Sequence, residues 1–162
     1  MFFVMSHPKK ETTLILVKPD ALQRGLLGEI IHRFERKGLK LIGLKMVRLE
    51  DAVIEEHYSH HKDKPFFGSM KNFMKSTPIV AMAIAGINAI SVTRVLAGPT
   101  KAYDAPAGTI RGDFSLSTQS NIVHVSDSKE SAETELARFF KKEEIFEYER
   151  PNFPYIYADE AF

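Results

Sequence analysis

The chain has 162 residues, 44% of them hydrophobic and 27% charged, with 22 Lys and Arg against 21 Asp and Glu for a formal net charge of +1. This balance excludes a disordered chain and argues against nucleic acid as a partner. Cysteine is absent, which excludes a disulfide framework, thiolate metal ligands and a cysteine nucleophile.

In chain order, Met1–Met5 is apolar but short, and Ser6, His7 and Pro8 follow it at once. Residues 1–11 are read as a frayed N-terminal extension, not an export signal, with Met5 a second candidate start. No stretch reaches the roughly 18 apolar residues of a membrane span, so no membrane partner is expected and a cytoplasmic place is.

Thr12–Val17 is a nearly continuous apolar run that suits a buried strand, and Lys18-Pro19-Asp20 stops it. Leu26, Leu27, Ile30, Ile31 and Phe34 recur at helical spacing, with Gly38 as a C-terminal cap. Leu39–Leu49 reads as a second strand whose alternation shifts phase, which predicts a bulge near Gly43. Asp51–His61 and Phe66–Lys75 are helical, Ile79–Ala85 is a third strand, and Asn88–Leu96 is a helix closed by Gly98 and Pro99. A long loop runs to about Gly112. Asn121–Val125 is a short fourth strand. Asp127 and Glu130 suggest a capping box for a helix that buries Ala132, Leu136, Phe139 and Phe140.

The order β-α-β-α-α-β-α-β-α predicts an α+β fold: a ferredoxin-like split βαβ sandwich with a four-stranded antiparallel sheet, helices on one face and an inserted helix pair. Residues 12–140 form this domain. Residues 141–162 are a tail rich in aromatics (Phe146, Tyr148, Phe153, Tyr155, Tyr157, Phe162) without periodicity, expected to pack on its own or a neighbouring subunit.

No Walker-type phosphate loop and no Gly-x-Gly-x-x-Gly motif is present. Instead, cations stand at element ends: Lys18 after the first strand, Arg94 in the helix before the long loop, and Arg111 at that loop's far end, with Thr100 between. Fixed cations and hydroxyls beside a glycine-rich turn suit a polyphosphate; singly, each is more often a surface charge. His124 lies where a buried strand meets a helix. Neutral imidazole is nucleophilic, and Glu135, on the following helix, could accept from one ring nitrogen and leave the other free. A structural histidine accounts equally well for the position. His57, His60 and His61 share one predicted helix, and His57 and His61 are one turn apart, a spacing that suits zinc. An exposed histidine-rich face is the commoner origin of such a cluster, and no metal site is assigned.

Several segments together resemble the nucleoside diphosphate kinase family from about Thr12 to about Phe140: Val17-Lys18-Pro19-Asp20, Gln23-Arg24-Gly25-Leu26, Gly28-Glu29-Ile30-Ile31, Glu56-His57-Tyr58, Pro65-Phe66-Phe67, Gly108 to Phe114, and Asn121-x-x-His124-x-Ser126-Asp127-Ser128. The resemblance implies ping-pong transfer of the terminal phosphate of a nucleoside triphosphate to a nucleoside diphosphate through phosphohistidine. It makes His124 the acceptor on Nδ1, Glu135 the residue orienting the ring, and Ser126 its neighbour. Lys18 would meet the terminal phosphate and the sugar hydroxyls, with Tyr58 beside it. Arg94, Thr100 and Arg111 would contact phosphates, Asn121 the ribose 3′-hydroxyl, and Phe66 would stack on the base. Mg²⁺ is implied on the nucleotide phosphates and not in a protein cage. A homo-oligomer is implied too, a hexamer in preference to a tetramer.

Two departures stand out. Val125 occupies a position where the family has Gly or Ala, which leaves a scaffold without activity as the rival reading. Pro99 to Ala107 replaces the family's usual Thr-Asn-Pro-Ala loop, which often lines the contact between subunits.

Overall fold

Strand β1 (Lys10–Val17) begins polar and ends in a stretch with every residue buried. Such a run needs cover on both sheet faces. The same holds for β3 (Ile79–Ile87), buried over its first eight residues. A computed structural model describes residues 9–157 and pairs these two strands antiparallel at the centre of a four-stranded sheet of order β2-β3-β1-β4. The edges are β2 (Lys40–Val47) and β4 (Val123–Val125). All three pairings are antiparallel, as the sequence predicts. Residues 1–8 and 158–162, Phe162 among them, lie outside the described residues.

The predicted bulge is present. Leu41 pairs with Ile84 and Gly43 with Ala83, so Ile42 is the extra residue. Strand β1 starts at Lys10, two residues before the predicted Thr12.

The helices cover both faces, not one. On one side Ile15, Val17, Val80, Met82 and Ile84 pack against Ala21 of α1 (Pro19–Gln23), Ile30 and Phe34 of α2 (Leu27–Arg36), Ala89 and Ala97 of α5 (Ala89–Ala97), and Ile110 of α6 (Ile110–Phe114). On the other, Leu14, Leu16, Ala81, Ala83 and Ala85 pack against Ile54 of α3 (Asp51–His57), Met70 and Met74 of α4 (Phe67–Lys75), and Phe139 of α7 (Lys129–Phe139). The alternation of small Ala with larger Val, Met and Ile along β3 gives the second face room for aromatic rings.

Several short elements depart from the sequence reading. Lys18-Pro19-Asp20 ends β1 and also starts α1, with Pro19 at the first helical turn, where its missing N–H costs nothing. The predicted Asp51–His61 helix breaks at Tyr58 into α3 and a 3₁₀ turn at Ser59–His61. The loop from Gly98 to Gly112 holds a 3₁₀ turn at Ala102–Asp104 and leads into α6, capped by Thr109, whose Oγ1 accepts from Gly112 N at 3.0 Å. At α7 the cap is Ser128, not Asp127: its Oγ accepts from Ser131 N at 3.1 Å, one residue later than the expected Asp127–Glu130 box.

The tail, expected to be aperiodic, forms a 3₁₀ turn at Lys142–Glu144 and α8 (Phe153–Tyr157). It packs along its own sheet. Phe146 N donates to Ile42 O, Tyr148 Oη to Leu41 O, and Arg150 Nη1 to Leu39 O. Gly86 has no room for a side chain, because an added Cβ would lie 2.7 Å from Leu39 Cδ2 and 2.9 Å from Tyr157 Oη.

Phe34 is 1% exposed at the heart of the α2 face. Phe34→Ala is expected to lower unfolding free energy by about 3–5 kcal/mol, read from urea midpoints; a loss under about 1 kcal/mol would show that this face is not a packed core.

Candidate functional site

Strand β4 is only three residues long, and its alternation decides the site. Val123 and Val125 face the core with Ile15 and Val17, while His124, paired with Leu16, faces the opposite side. There it borders an open cleft of about 1310 Å³. Lys18, Tyr58, Phe66, Arg94, Thr100, Arg111, Asn121 and Glu135 all line that cleft with His124. These residues come from six separate parts of the chain. Ser126 sits behind it, fully buried.

His124 Nε2 donates to Glu135 Oε2 at 2.9 Å, and Ser126 Oγ donates to the same oxygen at 2.6 Å. A carboxylate accepts only, so Nε2 carries a proton, and in the neutral ring the lone pair lies on Nδ1. Burial works to raise the pKa of Glu135, but hydrogen bonds from His124 and Ser126 and the nearby imidazole outweigh it, and the net shift is downward. Glu135 therefore stays an anion.

Lys18 Nζ donates to Asn121 Oδ1 at 2.6 Å and to Gln119 O at 3.1 Å. Burial, with Arg111 nearby, lowers its pKa to about 8. Asn121 Nδ2 donates to Thr100 O at 2.9 Å, which ties the amide to the long loop. Arg111 is 7% exposed and donates to three carbonyls, of Gly98, Asn121 and Val123. Three of its five N–H groups are used there, which leaves two for a ligand. Burial, with Arg94 nearby, lowers its pKa to about 10, so it is charged at neutral pH. Tyr58 Oη is buried without a partner, and burial raises its pKa, so it remains a phenol. Phe66 is 47% exposed, with its ring 5.3 Å from that of His61.

Sequence reasoning grouped His57 with His60 and His61; the fold separates them. His60 and His61 lie against each other, ring centroids 4.0 Å apart, while His57 is buried with its ring 4.5 Å from that of His124. Arg138, which the sequence did not single out, donates from Nη1 to His57 Nδ1 at 3.1 Å and from Nε to Glu56 at 2.9 Å. Burial first, then neighbouring His124 and Arg138, lowers the pKa of His57 to about 2. Nothing local in sequence pairs Arg138 with His57; the spacing of Ile54 and His57 on one helix face was the available signal of burial.

Among the described residues, His57, His124 and Glu135 bring ligand-type atoms within 4.8 Å. They do not fit a metal. Arg138 occupies the Nδ1 lone pair of His57, so Nε2 carries the proton and offers none. Lys18, Arg94 and Arg111, which line the same cleft, are cations and suit an anion or a cation already carried by one.

Val125 is 8% exposed in the core opposite His124, and its φ is not positive. The backbone there does not require glycine, and the valine side chain packs on the sheet beside the cleft.

The model of the family described as nucleoside diphosphate kinase matches residues 11–145. A nucleoside diphosphate kinase of Parabacteroides distasonis is 53% identical over 152 residues, covering 94% of this chain and 99% of that protein. One of Staphylothermus marinus is 56% identical over 138 residues, covering 85% and 98%. Among solved structures, the Halobacterium salinarum nucleoside diphosphate kinase in complex with CDP superposes with a TM-score of 0.89 at 41% identity, covering 91% of this chain and 99% of that one. A Babesia bovis nucleoside diphosphate kinase family protein gives 0.87 at 46%, with the same coverage.

His57 yields a pH prediction. Its folded pKa lies below the unfolded value of 6.5, so the unfolded chain binds a proton that the native chain refuses. Its contribution is complete above pH 6.5 and falls as pH drops, by about 1.4 kcal/mol per unit. In urea titrations between pH 6 and pH 4, His57→Gln is expected to flatten the loss of stability by up to that slope. An unchanged slope would mean that His57 is protonated in the folded protein.

Proposed function

The chain belongs to the nucleoside diphosphate kinase family, and from that premise we propose how its own residues pass the terminal phosphoryl group of a nucleoside triphosphate such as ATP to a nucleoside diphosphate, so maintaining NTP and dNTP pools. In the first half-reaction His124 Nδ1 attacks the terminal phosphorus. The N–P bond forms as the bond to the bridging oxygen breaks, and the nucleoside diphosphate departs with that oxygen. A second diphosphate then enters, and its terminal oxygen takes the phosphoryl group from His124 by the reverse path. The single observation that carries this reading is the His124 Nε2–Glu135 hydrogen bond, which leaves Nδ1 unprotonated beside the cationic cleft.

Lys18, Arg94 and Arg111 neutralise the charge spread over the transferring group, which is most of what such a reaction asks of a protein. The Thr100 side chain donates to a phosphate oxygen, and Tyr58 stands beside Lys18 in the cleft wall. Asn121, with Lys18, holds the ribose 3′-hydroxyl, and Ser126 fixes Glu135. Phe66 offers a flat face to the base, which suits any base because each has a π-face. Mg²⁺, if bound, would come with the nucleotide phosphates and would shield their charge, with no carboxylate cage of the protein needed for it.

We extend the reading to assembly and place. Leu44 and Met46, exposed on edge strand β2, support a homo-oligomer, for which a hexamer is favoured over a tetramer. Membrane and nucleic-acid partners are not part of the reading. Among the described residues, no helix is long and apolar enough to cross a membrane. A cytoplasmic home follows from where nucleotide pools are used.

Intact-chain mass spectrometry after brief exposure to ATP is expected to show one acid-labile phosphate, lost together with transfer activity in His124→Ala while nucleotide binding persists. Wild-type turnover in that variant would remove His124 from the role of nucleophile. The alkaline limb of kcat/KM is expected near pH 8, the free-enzyme pKa of Lys18. It should move upward in Lys18→Arg; a limb that stays in place would assign it to another group.

A further inference from the structure

Ile122 has φ of +74° and is fully buried. That region disfavours every residue with a Cβ and most of all a β-branched one. The turn is closed by Val123 N donating to Asn121 O at 2.8 Å. Two residues bridged in this way around a centre of positive φ form the rare, strained kind of γ-turn. It lies between Asn121 and His124, the two residues proposed above to hold the ribose and accept the phosphate. Strain of this sort persists only where surrounding contacts over-determine it.

Those contacts are few and specific. Asp20 Oδ2 accepts from Ile122 N at 3.0 Å. Lys18 N donates to Ile122 O at 2.9 Å. Arg111 reaches Asn121 O and Val123 O on either side of the turn. The backbone braces and Arg111 serve other purposes as well. The Asp20 carboxylate lies at the start of α1; its charge also acts on Lys18, and its second oxygen is buried with no partner.

We propose that Asp20 is a positioning residue, whose carboxylate holds the strained turn at Ile122 and thereby sets Asn121 against His124. The proposal rests on the reading of Asn121 as the ribose contact. Without the acceptor, Ile122 N–H loses its partner and the residue relaxes toward negative φ. The Asn121 amide then swings relative to the imidazole. The loss falls on substrates that use the 3′-hydroxyl, not on the fold as a whole.

The test compares kcat/KM for ATP and 3′-deoxy-ATP in the wild type, Asp20→Ala and Asp20→Asn, with circular dichroism to confirm folding. Asp20→Ala is expected to lose about ten-fold with ATP, on the scale of one strained residue, and much less with 3′-deoxy-ATP, so the preference for the 3′-hydroxyl collapses. Asp20→Asn, which keeps an oxygen acceptor at the same reach, is expected to stay within about three-fold of wild type. A second arm places Asp20→Ala in an Ile122→Gly background. Glycine takes the positive φ without strain, so removing the carboxylate should there cost little.

Equal losses with both nucleotides in Asp20→Ala, or the same loss with and without Ile122→Gly, would overturn the proposal. A failure of Asp20→Asn to recover would overturn it too, since charge toward Lys18 and not the acceptor would then be at work. A wild type indifferent to the 3′-hydroxyl would instead overturn the reading of Asn121, and the Ile122→Gly arm would still decide the role of Asp20. Should that double variant not fold, the Asn substitution decides it.

Discussion

A single hydrogen bond, from His124 Nε2 to Glu135 Oε2, determines what this cleft can do. An imidazole has two nitrogens and, when neutral, one proton. With that proton committed to a carboxylate that Ser126 also binds, the lone pair is left on Nδ1. Buried, neutral His57 packs edge-on against the same ring. The proposed nucleophile is thus oriented before any substrate arrives, which suits a reaction that needs little covalent help.

That arrangement depends on the sheet. Strand β4 has three residues, and only the middle one faces the cleft; the flanking valines anchor it in the core. A slip of one residue would turn His124 inward and put a valine in its place. The register is fixed because β1 beside it is buried on both faces. Arg111 and the turn at Ile122 then fasten the strand's entry, and Ser126 fastens its exit through Leu14.

Much of this was legible in the sequence, for identifiable reasons. The apolar runs at Thr12–Val17 and Ile79–Ala85 gave the central strands, and the phase shift at Gly43 gave the bulge. Cations at element ends and a histidine between strand and helix pointed to the cleft, and the family resemblance assigned their roles. Those same apolar runs also required cover on both sheet faces, which the one-face arrangement overlooked. Elements of five residues, such as α1, α6 and α8, are too short for periodicity to reveal. The pairing of Arg138 with His57 and of Asp20 with Ile122 joins positions far apart in the chain. No local pattern encodes such contacts, and only the fold brings them together.

Arg111 spends three of its donors on backbone carbonyls, so its charge is held in place by the fold itself. On the proposed reading, a fixed field of this kind would solvate the phosphoryl group equally on its way to the imidazole and on its way back. Such a catalyst imposes no direction of its own. Net flow would follow the ratio of donor to acceptor around it, and the molecule would act as an equaliser of phosphorylation potential, not as a pump.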